Sequence, residues 1–337
     1  AENSPPVDAL PAITTGPPVI AVLAFDNLSA DPGQEYFSDG IAEDIITDLS
    51  KLTELRVIAR NSSFTYKGKP VDPKRVGREL GARYVLEGSV RKVGERVRVT
   101  SQLSDAEDGM QVWAERYDRY LTDIFMVQDE LTLEIIRALL IRLSPEKQQQ
   151  LARLSDVSIE AYNIFLRGRE QAYKTAPECN SMARQLLAQA IELSPAFALA
   201  HAWVAFTHID DYVMGWVEHP EQSLEFGVAT VRRAYEFEPD NPEVLSLMSA
   251  ALQWSRRLDD SLEFAQRCLH VAPNCAMGWL QLATLLHYLG DAEESLRALD
   301  RYFELDPLYP DVALYFRAEA ESSLGRYQDS VATLRQR

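Results

Sequence analysis

Cysteine is scarce in this chain. The 337 residues hold three, Cys179, Cys268 and Cys275, with no CxxC pair. An odd number cannot pair completely within one chain, and all three fall in helical patterns, where cysteine behaves as a small apolar residue. The three cannot form a complete disulfide framework, and a reducing compartment is the simpler expectation. Positive charge is also short: 34 Lys and Arg stand against 51 Asp and Glu, a net charge of −17. That excludes coating of nucleic acid or of an anionic membrane by the chain as a whole, though not a local basic surface. No apolar run is long enough to span a bilayer. The best stretch, Val271 to Gly290, is broken by Pro273, Asn274, Gln281 and His287, so no membrane insertion is expected.

The motifs of common chemistries are missing as well. No GxxxxGK[ST] loop, GxSxG elbow or HExxH pair occurs. Adjacent Glu43 and Asp44, near a helix start, read as surface residues placed by the helix dipole. The five histidines all lie in the second half. His201 and His208, two turns apart, could share a face, but a metal would need a third ligand such as Asp211 or His287. Hydrogen-bonded repeat histidines fit that pattern better. No catalytic, cofactor or metal set is predicted, and no cofactor.

What is present divides the chain. Residues 1–18 carry Pro5, Pro6, Pro11, Pro17 and Pro18 with little to bury, the composition of a tether with something ahead of it. The start, Ala1, is not methionine, and neither the basic end nor the apolar core of a secretory signal is there. Residues 19–147 alternate strand and helix signals. Val19 to Phe25 and Leu55 to Ala59 read as short buried strands, and Ile41, Ile45, Leu49 and Leu52 recur at helical spacing. Asp72-Pro73 starts a second helix that Gly81 can stop. Strands follow at Tyr84 to Val90, Val97 to Leu103 and Val112 to Tyr117, then a helix from Thr122 to Leu143. The order βαβαββα predicts an α/β domain.

From residue 156 to 337 the strand signals vanish. Pro195, Pro239, Pro273 and Pro307 close successive helical units. The last two intervals are 34 residues and the first is 44, the period of a tetratricopeptide (TPR) repeat, once with ten residues added. Trp279, Ala283, Gly290 and Pro307 occupy the aromatic, small and terminal-proline positions of the best unit. Small residues let paired helices approach, and proline ends the second helix. About five units are expected over 161–197, 198–241, 242–275, 276–309 and 310–337, the last incomplete. The fold class is thus an α/β domain followed by an all-α TPR superhelix, whose groove takes a protein or peptide partner.

Two surfaces stand out. The added segment, Asp210 to Pro220, carries Tyr212, Met214 and Trp216, which either anchor a partner from a repeat loop or fold back over the preceding helix pair. Between Arg56 and Arg98 twelve Lys and Arg face four acids. From these, Arg60, Lys67, Arg91, Lys92, Arg96 and Arg98 form a candidate basic patch, for the acidic repeat half, an acidic partner or a nucleotide phosphate. The other reading is a solvated sheet face. An array without an obvious polar capping helix also leaves room for a homodimer.

The strings Phe37–Ile45 (FSDGIAEDI), Arg60–Gly68 (RNSSFTYKG), Gly81–Lys92 (GARYVLEGSVRK), Trp113–Arg119 (WAERYDR) and Asp123–Leu131 (DIFMVQDEL) resemble, in that order, the TolB amino-terminal-like domain that precedes TPR arrays in bacterial signalling proteins. The resemblance is strongest to the carboxy-terminal halves of class III adenylate/guanylate cyclases, and similar halves follow winged-helix domains in some transcription regulators. It implies a non-catalytic regulatory and protein-protein interaction region that couples partner binding to an upstream output domain. It transfers no cyclase active-site residue, and no nucleic acid would be bound by this region. The alternatives are a small-ligand sensor holding a metabolite or nucleotide near Asn61–Lys67, or the effector half of a winged-helix regulator; catalysis by this region itself ranks lowest. The resemblance favours the cytoplasm, with the periplasmic side of a membrane-anchored parent as the alternative.

Overall fold

A computed structural model describes residues 17–139 and 157–336. Almost all of the predicted tether lies outside them, as do the end of the helix expected to reach Leu143 and both limits of the 147/156 division. The first part is built on a sheet of order β3-β1-β4-β5-β6: β1 (Val19–Val22), β3 (Arg56–Val57), β4 (Tyr84–Val93), β5 (Arg96–Asp105) and β6 (Gln111–Tyr120). A two-residue strand, β2 (Asp26–Asn27), continues the line of β1 beside β4. β1 runs parallel to β3 and β4, whereas β4, β5 and β6 form an antiparallel meander, three strands where the order βαβαββα counts two. Parallel pairs need helical crossovers. The chain supplies α1 (Glu35–Ser50) between β1 and β3, and α2 (Arg60–Ser63) with α3 (Pro73–Leu80) between β3 and β4. Neither β2 nor α2 has enough length to leave a periodic signal in the sequence.

The two crossovers cover opposite faces. Phe37, Ile41, Ile45 and Leu49 of α1 share a core with Val127, Leu131 and Ile135 of α4 (Ile124–Ala138). Val76 and Leu80 of α3 pack with Ala21, Val85 and Ala106 on the other side. The Asp72 side chain accepts from the Lys74 amide at the start of α3, and Gly81, at φ +66°, stops it in the left-handed conformation.

Among the described residues five antiparallel hairpins follow: α5 (Ile159–Ala172) with α6 (Pro177–Leu193), α7 (Ala198–Met214) with α8 (Pro220–Phe237), α9 (Pro242–Trp254) with α10 (Leu258–Val271), α11 (Ala276–Tyr288) with α12 (Ala292–Leu305), and α13 (Asp311–Ser323) with α14 (Tyr327–Leu334). This is the TPR arrangement. Pro195, Pro239, Pro273 and Pro307 each stand in the turn after a hairpin, where the preceding residue donates its amide four residues back: Ser194 to Ala190, Glu238 to Ala234, Ala272 to Cys268 and Asp306 to Tyr302. The hairpins close through a recurring bond. Ser261, Ser295 and Ser330 each donate a hydroxyl to the carbonyl twelve residues earlier, of Ser249, Ala283 and Ala318, at 2.6, 2.7 and 2.8 Å.

One expectation needs correction. The ten added residues of the second hairpin are not a loop. α7 and α8 have 17 and 18 residues, where α9 and α10 have 13 and 14. Each helix gains about one turn, and only two residues are left to lengthen the connection.

Candidate functional site

The two parts meet over α1. Its residues Ile41 and Ile45 belong to the same buried cluster as Tyr162, Phe165 and Leu166 of α5 and Trp203 of α7. Gly40 makes the approach possible, because a Cβ there would lie 2.6 Å from a methyl of Leu166.

Within this apolar seam lies a charged network. Arg169 of α5 is 2% exposed and sits 3.4 Å from Glu43 Oε2 and 3.5 Å from Asp44 Oδ1. Glu43 also accepts from Arg60 Nε at 3.1 Å and from the Tyr173 hydroxyl. The Arg60 guanidinium lies 4.0 Å from the Tyr173 ring centre and 4.4 Å from that of Phe64, a stacking that favours arginine over lysine. Asp44 accepts from the Tyr162 hydroxyl and from Gln128 Nε2 at 2.8 Å. A third carboxylate, Glu243 at the start of α9, accepts from Trp203 Nε1 at 3.0 Å and Thr47 at 3.4 Å. Glu43 and Asp44 are therefore junction residues, which corrects the surface reading. Burial raises the Asp44 carboxyl to about 6 against the pull of Arg169 and the Tyr162 hydrogen bond. Glu243 is raised by the same cause. Burial opposes the charge of Arg169, but Glu43, Asp44 and Glu243 together hold it protonated.

A second set of contacts fixes the other end of α1 and the segment after β3. Asn274, in the turn between α10 and α11, donates to the carbonyls of Leu52 at 2.6 Å and Leu55 at 2.7 Å, and its amide to Ser50 at 3.1 Å. Asp306, in the next turn, is fully buried and accepts from the Ser62 amide at 3.1 Å, the Ser62 hydroxyl at 2.5 Å, Asn61 Nδ2 at 3.3 Å and the Tyr302 hydroxyl at 2.9 Å. Ala59 donates its amide to Leu305 at 2.7 Å. A buried carboxylate with four donors is well compensated.

The α1–α4 seam holds a further, half-buried carboxylate. Asp129 of α4 is raised to about 7 by burial and then by the charge of Asp48, against the pull of Lys51. Its pKa lies above that of the unfolded chain, so its contribution to stability is present at acid pH and is lost as pH rises through about 7. Asp129→Asn is expected to match the wild type near pH 4 and to exceed it by about 1–3 kcal/mol at pH 8. Urea unfolding at the two pH values measures this; an equal difference at both would contradict it.

The other predicted residues are dispersed. Lys67 pairs with Asp39 at 2.6 Å and Glu35 at 3.1 Å, and Arg60 belongs to the junction. Lys92 lies on the helix-covered face of the sheet, 5.2 Å from the centre of the Phe37 ring. Arg91, Arg96 and Arg98 share the open face, with Arg91 directly across from Arg98 and Arg98 bonded to Asp118 at 2.8 Å. The six do not form one patch; three of them do. Tyr212 lies on α7 and packs edge-on against Trp254, ring centres 5.9 Å apart, so the loop-anchor reading fails for it. Met214 is 49% exposed at the end of α7, and Trp216 is half-buried in the turn. His201 Nε2 lies 2.9 Å from the Pro195 carbonyl, in the turn after α6, and His208 Nδ1 2.9 Å from Ser223 of α8, so the two serve different contacts.

Sequence reasoning missed a row of exposed apolar helix ends. Trp254 and Tyr288 end α9 and α11, 34 residues apart, 40% and 50% exposed, in line with Met214 at the end of α7. Their spacing by one repeat is visible in the sequence once the helix ends are known. The row lies at the hairpin tips. Asn274 and Asp306 lie at the opposite end of the helices, about 20 Å away for a 13-residue helix.

No family model matches the chain. Over 244 residues, 72% of its length, the chain is 43% identical to a protein of Rhizobium meliloti (strain 1021) named putative adenylate cyclase 3, and it spans 42% of that relative. A 96-residue stretch is 26% identical to the N-terminal acetyltransferase A complex auxiliary subunit NAA15 of Arabidopsis thaliana, covering 28% of this chain and 11% of that protein. Among solved structures, the thermophilic TPR protein TTC0263 of Thermus thermophilus is similar at TM-score 0.41 and 13% identity, covering 60% of this chain and 97% of its own. MamA is similar at TM-score 0.38 and 12% identity, covering 50% and 90%. Among the described residues no helix is long and apolar enough to cross a membrane.

Proposed function

We propose that this chain is a non-catalytic interaction and regulatory region: a TolB-like α/β module seated on a TPR array that receives a protein partner. The observation that carries the reading is the junction. Charged and polar side chains of α5, α9 and two inter-repeat turns are spent on holding α1 and the segments before and after β3. A partner that bends the array acts on Asp306, Asn274 and Arg169 and is felt by the module. The likeness to a protein named putative adenylate cyclase 3 supports a nucleotide cyclase as the output domain, with the cytoplasm as its setting. The hairpin-tip row of Met214, Trp254 and Tyr288 is the contact surface, because the module occupies the opposite ends of the helices.

The small-ligand alternative is weaker. A cavity beside Asn61–Lys67, lined by Thr65, Tyr66, Lys69, Arg75 and Glu79, measures about 190 Å³. Ligand pockets usually measure about 300–1,000 Å³. Asn61 and Ser62 are already engaged by Asp306. The test is affinity capture from the source organism with the chain as bait, beside a Met214→Ser/Tyr288→Ser variant. A saturable partner lost by the variant at unchanged thermal stability is expected. Equal binding by the variant moves the surface elsewhere; no partner, together with stabilisation by a nucleotide or metabolite, overturns the reading in favour of a sensor.

A further inference from the structure

The sheet ends in an open edge with an uncommon charge pattern. β6 pairs with β5 on one side, and among the described residues no strand pairs with its other side. Edge strands are usually blunted by proline, by charged side chains (lysine above all) or by a bulge. β6 (QVWAERYDRY) has no proline and no lysine, and the register shift in its pairing with β5 falls at Leu103/Ser104, away from its centre.

The parity of the free edge follows from the hydrogen bonds. The Leu121 amide donates to the Glu95 carbonyl at 2.7 Å, and that pair continues the register Arg119–Val97, Tyr117–Val99, Glu115–Ser101. Antiparallel rungs alternate. From Trp113 to Arg119 the odd-numbered residues of β6 therefore spend their backbone groups on β5, and Ala114, Arg116, Asp118 and Tyr120 turn theirs to the open edge; Val112 sits at the register shift.

An identical strand can join this edge in antiparallel fashion only if even-numbered residues face even-numbered ones. Placing the two-fold axis at Tyr117 sets Arg116 across from Asp118 and Glu115 across from Arg119, each pair occurring twice by symmetry. Shifting the axis by one residue either way sets Arg116 against its own copy or Asp118 against its own copy. One register is thus favoured on both faces of the sheet at once, and its neighbours bring like charges together.

We propose that this chain pairs with a second copy of itself through β6, antiparallel and two-fold about Tyr117, to form one continuous sheet. The occupant follows from this self-complementarity. Within one chain Asp118 already accepts from Arg98 at 2.8 Å and lies 3.5 Å from Arg116, and Arg119 reaches Glu130 at 3.4 Å. The second copy extends these rows with its own Arg116 and Glu115. Tyr120, 54% exposed, would face Ala114 and have room to lie across it. This proposal does not depend on the partner reading above, and it places self-association on the sheet where the sequence pointed to the end of the array.

The test is the mass of the chain by sedimentation equilibrium. The wild type is expected to dimerise. Ala114→Pro removes an outward amide without touching a bond to β5, and should leave a monomer of unchanged circular dichroism. Glu115→Arg, which sets arginine against Arg119, should weaken the dimer roughly tenfold. Adding Arg119→Glu should restore it. A Glu115→Cys/Arg119→Cys variant should crosslink between copies under oxidation, since those positions are opposite in this register alone. A monomeric wild type, or a dimer indifferent to Ala114→Pro and to charge reversal, overturns the proposal.

Discussion

Replacing Arg169 by methionine should destabilise the chain by about 3–5 kcal/mol, the range for leaving buried charges without their partner. The size follows from what remains. Glu43 keeps Arg60 and Tyr173, but Asp44 and Glu243 lose the cation that offsets their burial. Both would take up protons more readily, so the loss should be smaller at pH 5 than at pH 8. Arg297, 60% exposed and bonded to Glu294, is the comparison: its replacement should change little, because exposed pairs contribute little. Urea midpoints of both variants at the two pH values decide the matter. A loss at Arg169 no larger than that at Arg297 would mean that the network does not hold the junction.

Asp306→Ala should release the module from the array at a cost of about 3 kcal/mol, since it strands several buried donors at once. The Ser62 amide and hydroxyl, Asn61 and Tyr302 all point at this carboxylate. The Ser62 hydroxyl also accepts from the Leu308 amide at 2.8 Å, so the loss spreads into the turn that follows α12. Calorimetry should show the single transition of the wild type broadening or splitting, as the sheet and the hairpins melt separately. A uniform fall of one sharp transition would place the effect within the repeat alone.

Much of this architecture is legible without coordinates, because it rests on short-range rules. Arg96 and Arg98 alternate with Val97 and Val99 on a strand wet on one face. The Asp72-Pro73 start and Gly81 stop bound α3, and the prolines mark the repeat period. The junction is another matter. Its bonds between module and array join residues 118 to 246 positions apart. Each partner also has a local role that explains it adequately when read alone. Glu43 and Asp44 pass for dipole-placed surface acids, Asp306 for part of a helix-ending Asp-Pro turn, and Asn274 for a turn residue. Arg169 looks like any polar position on an amphipathic helix until α1 covers it. The longer second hairpin misled for a related reason. A count of inserted residues does not say whether they extend the helices or the loop between them; the spacing of Ala205, Ile209 and Tyr212 along α7 carries that information.

The central claim is that module and array form one body through these contacts, and amide hydrogen exchange tests it most directly. The amides of Ala59, Ser62 and Asn274 bond only across the junction, to Leu305, Asp306 and Ser50. They should exchange as slowly as the amides of neighbouring helices in the wild type, and faster in Asp306→Ala, while amides inside α11 and α12 stay protected. Exchange of those three at the rate of open turns in the wild-type chain would contradict the account.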